Sequence, residues 1–352
     1  MKIVFVIPDM PGGGTERVVA LLANEYCRRG IETAILLFAG HETAYPLDER
    51  IEVISVGGPS GGRIADRVKR LGRMRVYYAR NKGCQIWAFS VMGAVFSVIA
   101  AFGQRHFFLV SERNDPNRYD HKKIRNMAYR FADVVVCQTE DAVGGFPAGI
   151  AKKSAVVPNP VDIGALQPYE GSREHRIVAV GRLEPQKNHK LLLHAFAGFS
   201  GIYPDYVLDI YGKGELEKEL KQLAATLGIG DRVRFRGFSD KVKEEINSAA
   251  MYVLSSDYEG ISNSMLEALA LGIPVIATDC PIGGSRMYVE DGVNGLLVSI
   301  GNKEALQAAM CKIAGDEKFA AALGREGYRL GERNKVGQIA DKFLEAAGGH
   351  KR

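Results

Sequence analysis

Short apolar runs alternate with amphipathic stretches along almost the whole chain, and this alternation constrains the fold more than any other feature. KIVFVI (2–7) leads into TERVVALLANEYCRRG and then IETAILLF (31–38), while FFLVS (107–111) and DVVVCQ (133–138) read as further buried strands. Parallel strands need long crossover connections, usually helical, so the pattern predicts α/β architecture with helix-covered parallel sheets. A second series begins after the polar stretch Ser172–His175. Its strands are RIVAVG (176–181), YVLDIYG (206–212), RVRFRG (232–237), MYVLSS (251–256) and PVIATD (274–279). HKLLLHAFAGF, ELEKELKQLAATLG, KVKEEINSAA and NSMLEALALG are the helices expected between them. The 352 residues suit two doubly wound domains, 1–170 and 171–334, with a last helix at about 335–352 expected to pack back on the first. Ligands in such sheets bind beyond the carboxyl ends of the strands, so the loops there carry the chemistry.

Composition removes several classes. The five cysteines (Cys27, Cys84, Cys137, Cys280, Cys311) are scattered and form no C-x-x-C pair, which argues against a disulfide framework or structural zinc and for a reducing cytosol. Met1 runs directly into a strand-like segment that does not fit a signal peptide. Residues 86–103 are uncharged over 18 positions, the lower limit for a spanning helix, yet they read better as a strand (85–89) followed by a core-facing helix (91–102).

Three loops at strand ends stand out. PDMPGGGTERVV places Gly12–Gly14 between a strand and a helix start, where backbone N–H groups can meet an anion; neither G-x-G-x-x-G nor a P-loop is present. GRLEPQKNHK sets Arg182 and Lys187 around Pro185, with Asn188 as a candidate helix cap. Two cations suit a diphosphate, although taken alone a solvated turn with ordinary surface cations explains them better. SSDYEGISNSMLEAL puts Glu259 in a loop and Glu267 just past the first turn of a helix capped by Ser262 or Asn263. An anion beside two carboxylates is repelled unless Arg182 and Lys187 offset them, so the two loops make sense together as a nucleotide diphosphate-sugar site. Glu267 alone also fits plain architecture, as favourable charge near a helix N-terminus.

In this order, GRLEPQKN, YGKGEL and EGISNSMLEALALGIPVIATD resemble the retaining glycosyltransferases of family 4, with Glu259 and Glu267 at that family's E-x7-E signature. PGGGTERVV and GVNGLLV (292–298) fit the same resemblance, which covers essentially the whole chain. It implies a GT-B fold: two Rossmann-like doubly wound parallel-sheet domains facing across a cleft, acceptor-binding first and donor-binding second. It also implies a donor, most often a UDP-sugar, whose diphosphate meets Arg182 and Lys187 with backbone at Gly13, Gly14 and Ile261–Ser264 (including Ser262 and Asn263). Glu267 then takes the ribose hydroxyls, and Glu259 with Gly260 the transferred hexose or N-acetylhexosamine. The base lies against Gly212 and Phe238. Retention implies attack on the leaving-group face, and no Asp-x-Asp pair stands at a strand end, so the nucleotide sugar is a co-substrate and no obligatory metal is indicated.

The sequence departs from the family after FFLVS. Where many members carry a histidine it has Arg113, flanked by Glu112 and Asn114, in SERNDPNRYD. Arginine cannot act as a base at neutral pH, so this loop either assists by orienting or by compensating charge, or only caps the next helix. GGRIADRVKRLGRMRVYYARNKG (61–83) holds eight cations (Arg63, Arg67, Lys69, Arg70, Arg73, Arg75, Arg80, Lys82) against Asp66. Ile64, Val68, Leu71 and Tyr78 recur at helical spacing, which fits an anionic lipid surface or a core-packed helix. The resemblance extends to enzymes elongating lipid-linked polyprenyl-diphosphate glycans at the inner membrane face, which assigns Arg67, Arg70 and Arg73 to the acceptor diphosphate or membrane. A nucleic-acid partner is not expected. The competing readings are a UDP-sugar 2-epimerase of the same architecture, separable by UDP-ManNAc formation without acceptor, and a non-catalytic glycosyltransferase subunit.

Overall fold

The computed structural model describes residues 1–41, 43–57 and 64–348, without the side chains of 330–332. Arg63 of the basic segment lies outside the described residues. Two compact units are present, Met1–Pro160 with the segment from Val336, and Val161–Lys335.

The first unit is built on strands β1 (Lys2–Ile7), β2 (Glu32–Leu37), β3 (Glu52–Ser55), β4 (Gln85–Ala88), β5 (Phe107–Ser111), β6 (Val134–Cys137) and β7 (Ser154–Val156). They pair in parallel in the order β3-β2-β1-β4-β5-β6-β7. The connecting helices are α1 (Gly14–Arg28), α2 (Ile64–Arg80), α3 (Val91–Ala100), α4 (Lys122–Arg130) and the short α5 (Glu140–Gly144) and α6 (Ala148–Ala151). Because crossovers are right-handed, the reversal of direction at β1 sends α1 to one face and α2, α3 and α4 to the other. Alternate residues of β1 therefore part company: Ile3, Phe5 and Ile7 join Val18, Val19 and Leu22 of α1 in one core.

The second unit repeats the scheme. Strands β8 (Glu174–Val180), β9 (Val207–Tyr211), β10 (Val233–Gly237), β11 (Ala249–Leu254), β12 (Val275–Thr278) and β13 (Leu296–Val298) are all parallel, ordered β10-β9-β8-β11-β12-β13. Helices α7 (His189–Ile202), α8 (Glu217–Thr226), α9 (Val242–Ile246), α10 (Asn263–Ala270), α11 (Lys303–Gly315) and α12 (Glu317–Gly331) cover them. In both sheets the chain starts in the middle, runs outward to one edge, then returns to build the other half. The point of reversal, between β8 and β11 here, leaves a crevice at the carboxyl ends of those two strands.

The last helix, α13 (Val336–Gly348), belongs to the first unit. Phe343 stacks on Trp87 and Phe89 with ring centroids 5.7 and 5.8 Å apart, and Tyr26 donates to the Ala340 carbonyl at 2.9 Å.

Several boundaries differ from expectation. The junction falls at Pro160–Val161 rather than 170 because the following segment is bonded into the second unit. Val161 N donates to Asn334 O at 2.8 Å, Lys243 Nζ to Asp162 O at 3.1 Å and Asn247 Nδ2 to Gln167 O at 2.9 Å. KVKEEINSAA is helical only over Val242–Ile246, since Ala249 already pairs in β11. The apolar stripe read along α2 does not face one way: Met74 and Tyr78 are buried, whereas Ile64 is 79% exposed and Val68 61%. Among the described residues no helix is long and apolar enough to cross a membrane.

Candidate active site

The carboxyl end of the second sheet is held together by glycines whose side chains would not fit. Gly212 follows β9 with φ +132°, and a Cβ there would stand 2.0 Å from the Gly181 carbonyl oxygen. That closeness lets Gly181 N donate to Tyr211 O (2.9 Å), Leu183 N to Lys213 O (2.9 Å) and Gly212 N to Gly237 O (2.7 Å). Gly284 likewise packs its backbone on Gly260, with 1.7 Å between a notional Cβ and the Gly260 oxygen. The loops after β8, β9, β10 and β11 thus form one stitched rim.

Across the crevice between β8 and β11 the two singled-out loops meet. Lys187 Nζ and the Glu259 carboxylate form an ion pair, their side chains only 15% and 13% exposed. Ser256 Oγ donates to Glu259 Oε2 at 3.2 Å and Gln186 Nε2 to the Tyr258 carbonyl at 3.0 Å. Asp257 N donates to Gln186 O (3.0 Å), Asn188 Nδ2 to Asp257 Oδ1 (2.7 Å) and Ser255 Oγ to Lys187 O (2.9 Å). Asn188 sits in the left-handed region at φ 43° while its side chain caps α7 through Leu191 N (3.1 Å). Sequence reading missed Gln186, Ser256 and Asp257, which tie the loops together.

Arg182 is different. It is 64% exposed and pairs with its neighbour Glu184 at 3.1 Å, an interaction that solvent screens to little net value. Its fork therefore stands at the solvent-facing side of the rim, accessible to a ligand. His189, the first residue of α7, is buried; burial first and the Lys187 charge second push its imidazole down to about 4, so it is neutral at pH 7.

Helix α10 starts at the same rim. Ser262 caps it, accepting from Met265 N at 3.4 Å, and Ser264 Oγ donates to the Val180 carbonyl at 3.0 Å, which fixes the helix end against β8. Glu267 is buried on α10, and Ile261 is buried in the loop before it. Phe238 presents a half-exposed ring after Gly237, whose φ of +69° turns the chain beyond β10.

The remaining residues belong to the first unit. Gly13 is the N-cap of α1, and a Cβ on it would stand 2.3 Å from the Glu16 carboxylate, so that carboxylate folds back across the cap beside Gly14. At the end of β5, Glu112 is buried, accepts from Tyr129 Oη at 3.0 Å and is raised by burial above the usual carboxylate range. Arg113 donates from Nη2 to Asn159 Oδ1, lies 5.8 Å over the Phe89 ring and keeps its charge, although burial pushes it down to about 10. Asn114 accepts through its side chain from Asp115 N at 2.9 Å. On α2, Arg73 joins Lys69 and Arg80 along a groove of about 560 Å³ against Ile54 of β3 and Val56 just beyond it. Arg70 instead lies over the Phe96 ring at 5.5 Å, and Arg67 is exposed.

Comparison with known proteins places each unit. The model described as Glycosyltransferase Family 4 matches residues 12–164, and that described as Glycosyl transferases group 1 matches 168–330. The chain is 26% identical over 98% of both sequences to a Campylobacter jejuni protein, "GalNAc-alpha-(1->4)-GalNAc-alpha-(1->3)-diNAcBac-PP-undecaprenol alpha-1,4-N-acetyl-D-galactosaminyltransferase". It is 25% identical over 95% of both to the lipopolysaccharide core biosynthesis glycosyltransferase LpsE of Rhizobium meliloti. The solved structure of Anabaena HepE in complex with UDP and glucose covers 99% of both chains with a TM-score of 0.86 at 22% identity.

Proposed function

The chain belongs to the glycosyltransferases of GT-B fold, its first unit of family 4 and its second of group 1, and on that footing we propose that it is a retaining enzyme. It moves a hexose or N-acetylhexosamine from a UDP-sugar to a saccharide acceptor carried on a lipid diphosphate, at the cytoplasmic face of the membrane. The observation that carries the donor assignment is the meeting of Lys187 and Glu259 at the crevice between β8 and β11. A doubly wound sheet binds its ligand there, and few side chains other than a cation and a carboxylate suit a diphosphate joined to a polyol. UDP in the HepE structure and undecaprenol diphosphate in the Campylobacter relative's name support the choice of donor and acceptor class.

In this reading Arg182 and Lys187 hold the diphosphate with the N–H groups at Ile261, Ser262, Asn263 and Ser264. Glu259 and Gly260 bind the sugar, Glu267 the ribose, and Gly212 and Phe238 border the base. In the first unit, Gly13 and Gly14 offer the N-terminus of α1 to a phosphate, which displaces Glu16 from the cap. The bond from the anomeric carbon to the phosphate oxygen breaks as that carbon bonds the acceptor oxygen on the same face. The acceptor proton passes to the departing phosphate. Positive charge develops on the ring and negative charge on UDP, and Arg182, Lys187 and the α10 N-terminus stabilise the latter. Arg113 and Asn114 orient the acceptor, while Glu112 supports them from the interior. The α2 cations Arg67, Arg70 and Arg73 serve the acceptor diphosphate, Arg73 from its groove.

A thermal-shift panel of UDP-, GDP- and ADP-sugars tests the donor, because a ligand of the folded state raises its apparent stability. Only UDP-sugars are expected to shift the transition; no shift with any of them sinks the reading. Glu259→Gln then keeps nucleotide binding within a few-fold and loses transfer by about 100-fold or more. Retained transfer in that variant removes Glu259 from its role. Retention itself is read from the anomeric configuration of the product by proton NMR. Replacing Arg67, Arg70 and Arg73 together by Gln is expected to weaken use of a lipid-diphosphate acceptor far more than donor binding.

A further inference from the structure

Exposed apolar side chains are ordinary when scattered; they call for an explanation when they gather. In the first unit they gather on the outer side of the layer formed by α2, α3 and α4. Helix α4 turns Arg125, Ala128 and Tyr129 inward, where the Arg125 guanidinium lies 4.6 Å from the Phe146 ring centroid. That orientation leaves Ile124, Met127 and, just past the helix end, Phe131 in solvent, a stripe at spacings of three and four. A soluble amphipathic helix normally turns such a stripe to the core. Its neighbour α3, which has no charged residue, exposes Ile99 along the same layer, followed by Phe102. Phe102 is 72% exposed, Met127 60% and Phe131 61%.

Charge is concentrated in the same place. Between Ile64 and Phe131 the sequence has fourteen Lys and Arg against four Asp and Glu; Arg125 among the cations and Glu112 and Asp115 among the acids are buried. The whole chain has 46 against 41, so the remainder is net acidic. Lys122, Lys123 and Arg130 are exposed on α4 itself. An apolar stripe between cations matches a medium with an apolar interior and an anionic surface. A second copy of the chain fits less well, because a two-fold interface would set this positive surface against itself.

We infer that the outer face of α3 and α4 is the surface by which this protein lies on an anionic lipid bilayer. This rests on the reading of the acceptor as lipid-linked and adds where the chain meets the lipid. The basic helix α2, with its groove against β3, then serves the acceptor head group, and α3 and α4 the bilayer.

The test is co-sedimentation of the full chain with vesicles of phosphatidylcholine alone and of phosphatidylcholine mixed with phosphatidylglycerol. The wild type is expected on the mixed vesicles and not on the neutral ones. Met127→Glu with Phe131→Glu is expected to lower partitioning at least about tenfold while the melting temperature and the UDP-sugar shift stay unchanged, the residues being exposed. The milder pair Met127→Ser and Phe131→Ser serves if the glutamates impair folding, and Phe102→Glu probes α3 separately. Wild-type partitioning by the α4 variants, or equal binding to both vesicle types, overturns the inference. So does a dimer, seen by light scattering, that these substitutions dissociate while vesicle binding is absent throughout. The donor panel is independent: its failure removes the UDP-sugar reading and leaves the vesicle result standing.

Discussion

Lys187 and Glu259 each hold a charge that the second unit neutralises internally. Removing one partner strands the other in a place with little solvent, which costs more than removing both. Lys187→Gln is expected to lower stability by roughly 3 kcal/mol, and Lys187→Gln with Glu259→Gln by distinctly less, as read from urea unfolding. A double-variant loss equal to the sum of the Lys187→Gln and Glu259→Gln losses would show that the two charges do not interact. His189 supplies a pH dependence beside it. Its folded pKa of about 4 lies below the ordinary value of 6.5, so between those limits the unfolded chain binds more protons. Stability from this group is therefore complete above about pH 6.5 and is lost as pH falls toward 4, up to about 3 kcal/mol in all. His189→Gln is expected to flatten that limb of the stability–pH curve measured by thermal unfolding.

At the scale of elements, backbone approach shapes the rim. Gly212→Ala meets both a positive φ and the Gly181 oxygen, so a loss of about 3 kcal/mol or more is expected, with the UDP-sugar shift abolished. Gly228→Ala, at φ +69° with open space around it, should cost only about 1 kcal/mol. Thermal unfolding of both checks the order. The sheets were largely readable because their longer strands are apolar runs set between helical periods. Strands β3, β7 and β13, of three or four residues, are too short for periodicity to announce. The pairing of Lys187 with Glu259 spans 72 positions and depends on strand order, so residue types suggested it but only topology could bring the two together. Helix α3 shows the opposite limit: its lack of charge was read as burial, yet apolarity alone does not tell which face a neighbouring helix covers.

At the scale of the molecule, the first unit is discontinuous in sequence, because α13 returns to complete a core that the first 160 residues leave open at Trp87 and Phe89. Ending the chain after Lys335 removes Phe343 and Ile339 from that core, each fully buried. Hydrogen exchange is expected to rise across β1 and β4 in the truncated protein while protection of β8 and β11 is kept; unchanged protection of β1 would mean α13 is dispensable. The same discontinuity governs synthesis. On a ribosome residues 1–160 are made before the second unit, but their closing helix emerges only after it. At about 5–20 residues per second the intervening 175 residues take roughly 10–35 s to appear. The second unit thus has its entire sequence available before the first does, although it is translated later, and during that interval the unfinished aromatic core around Trp87 is what a chaperone would find to hold.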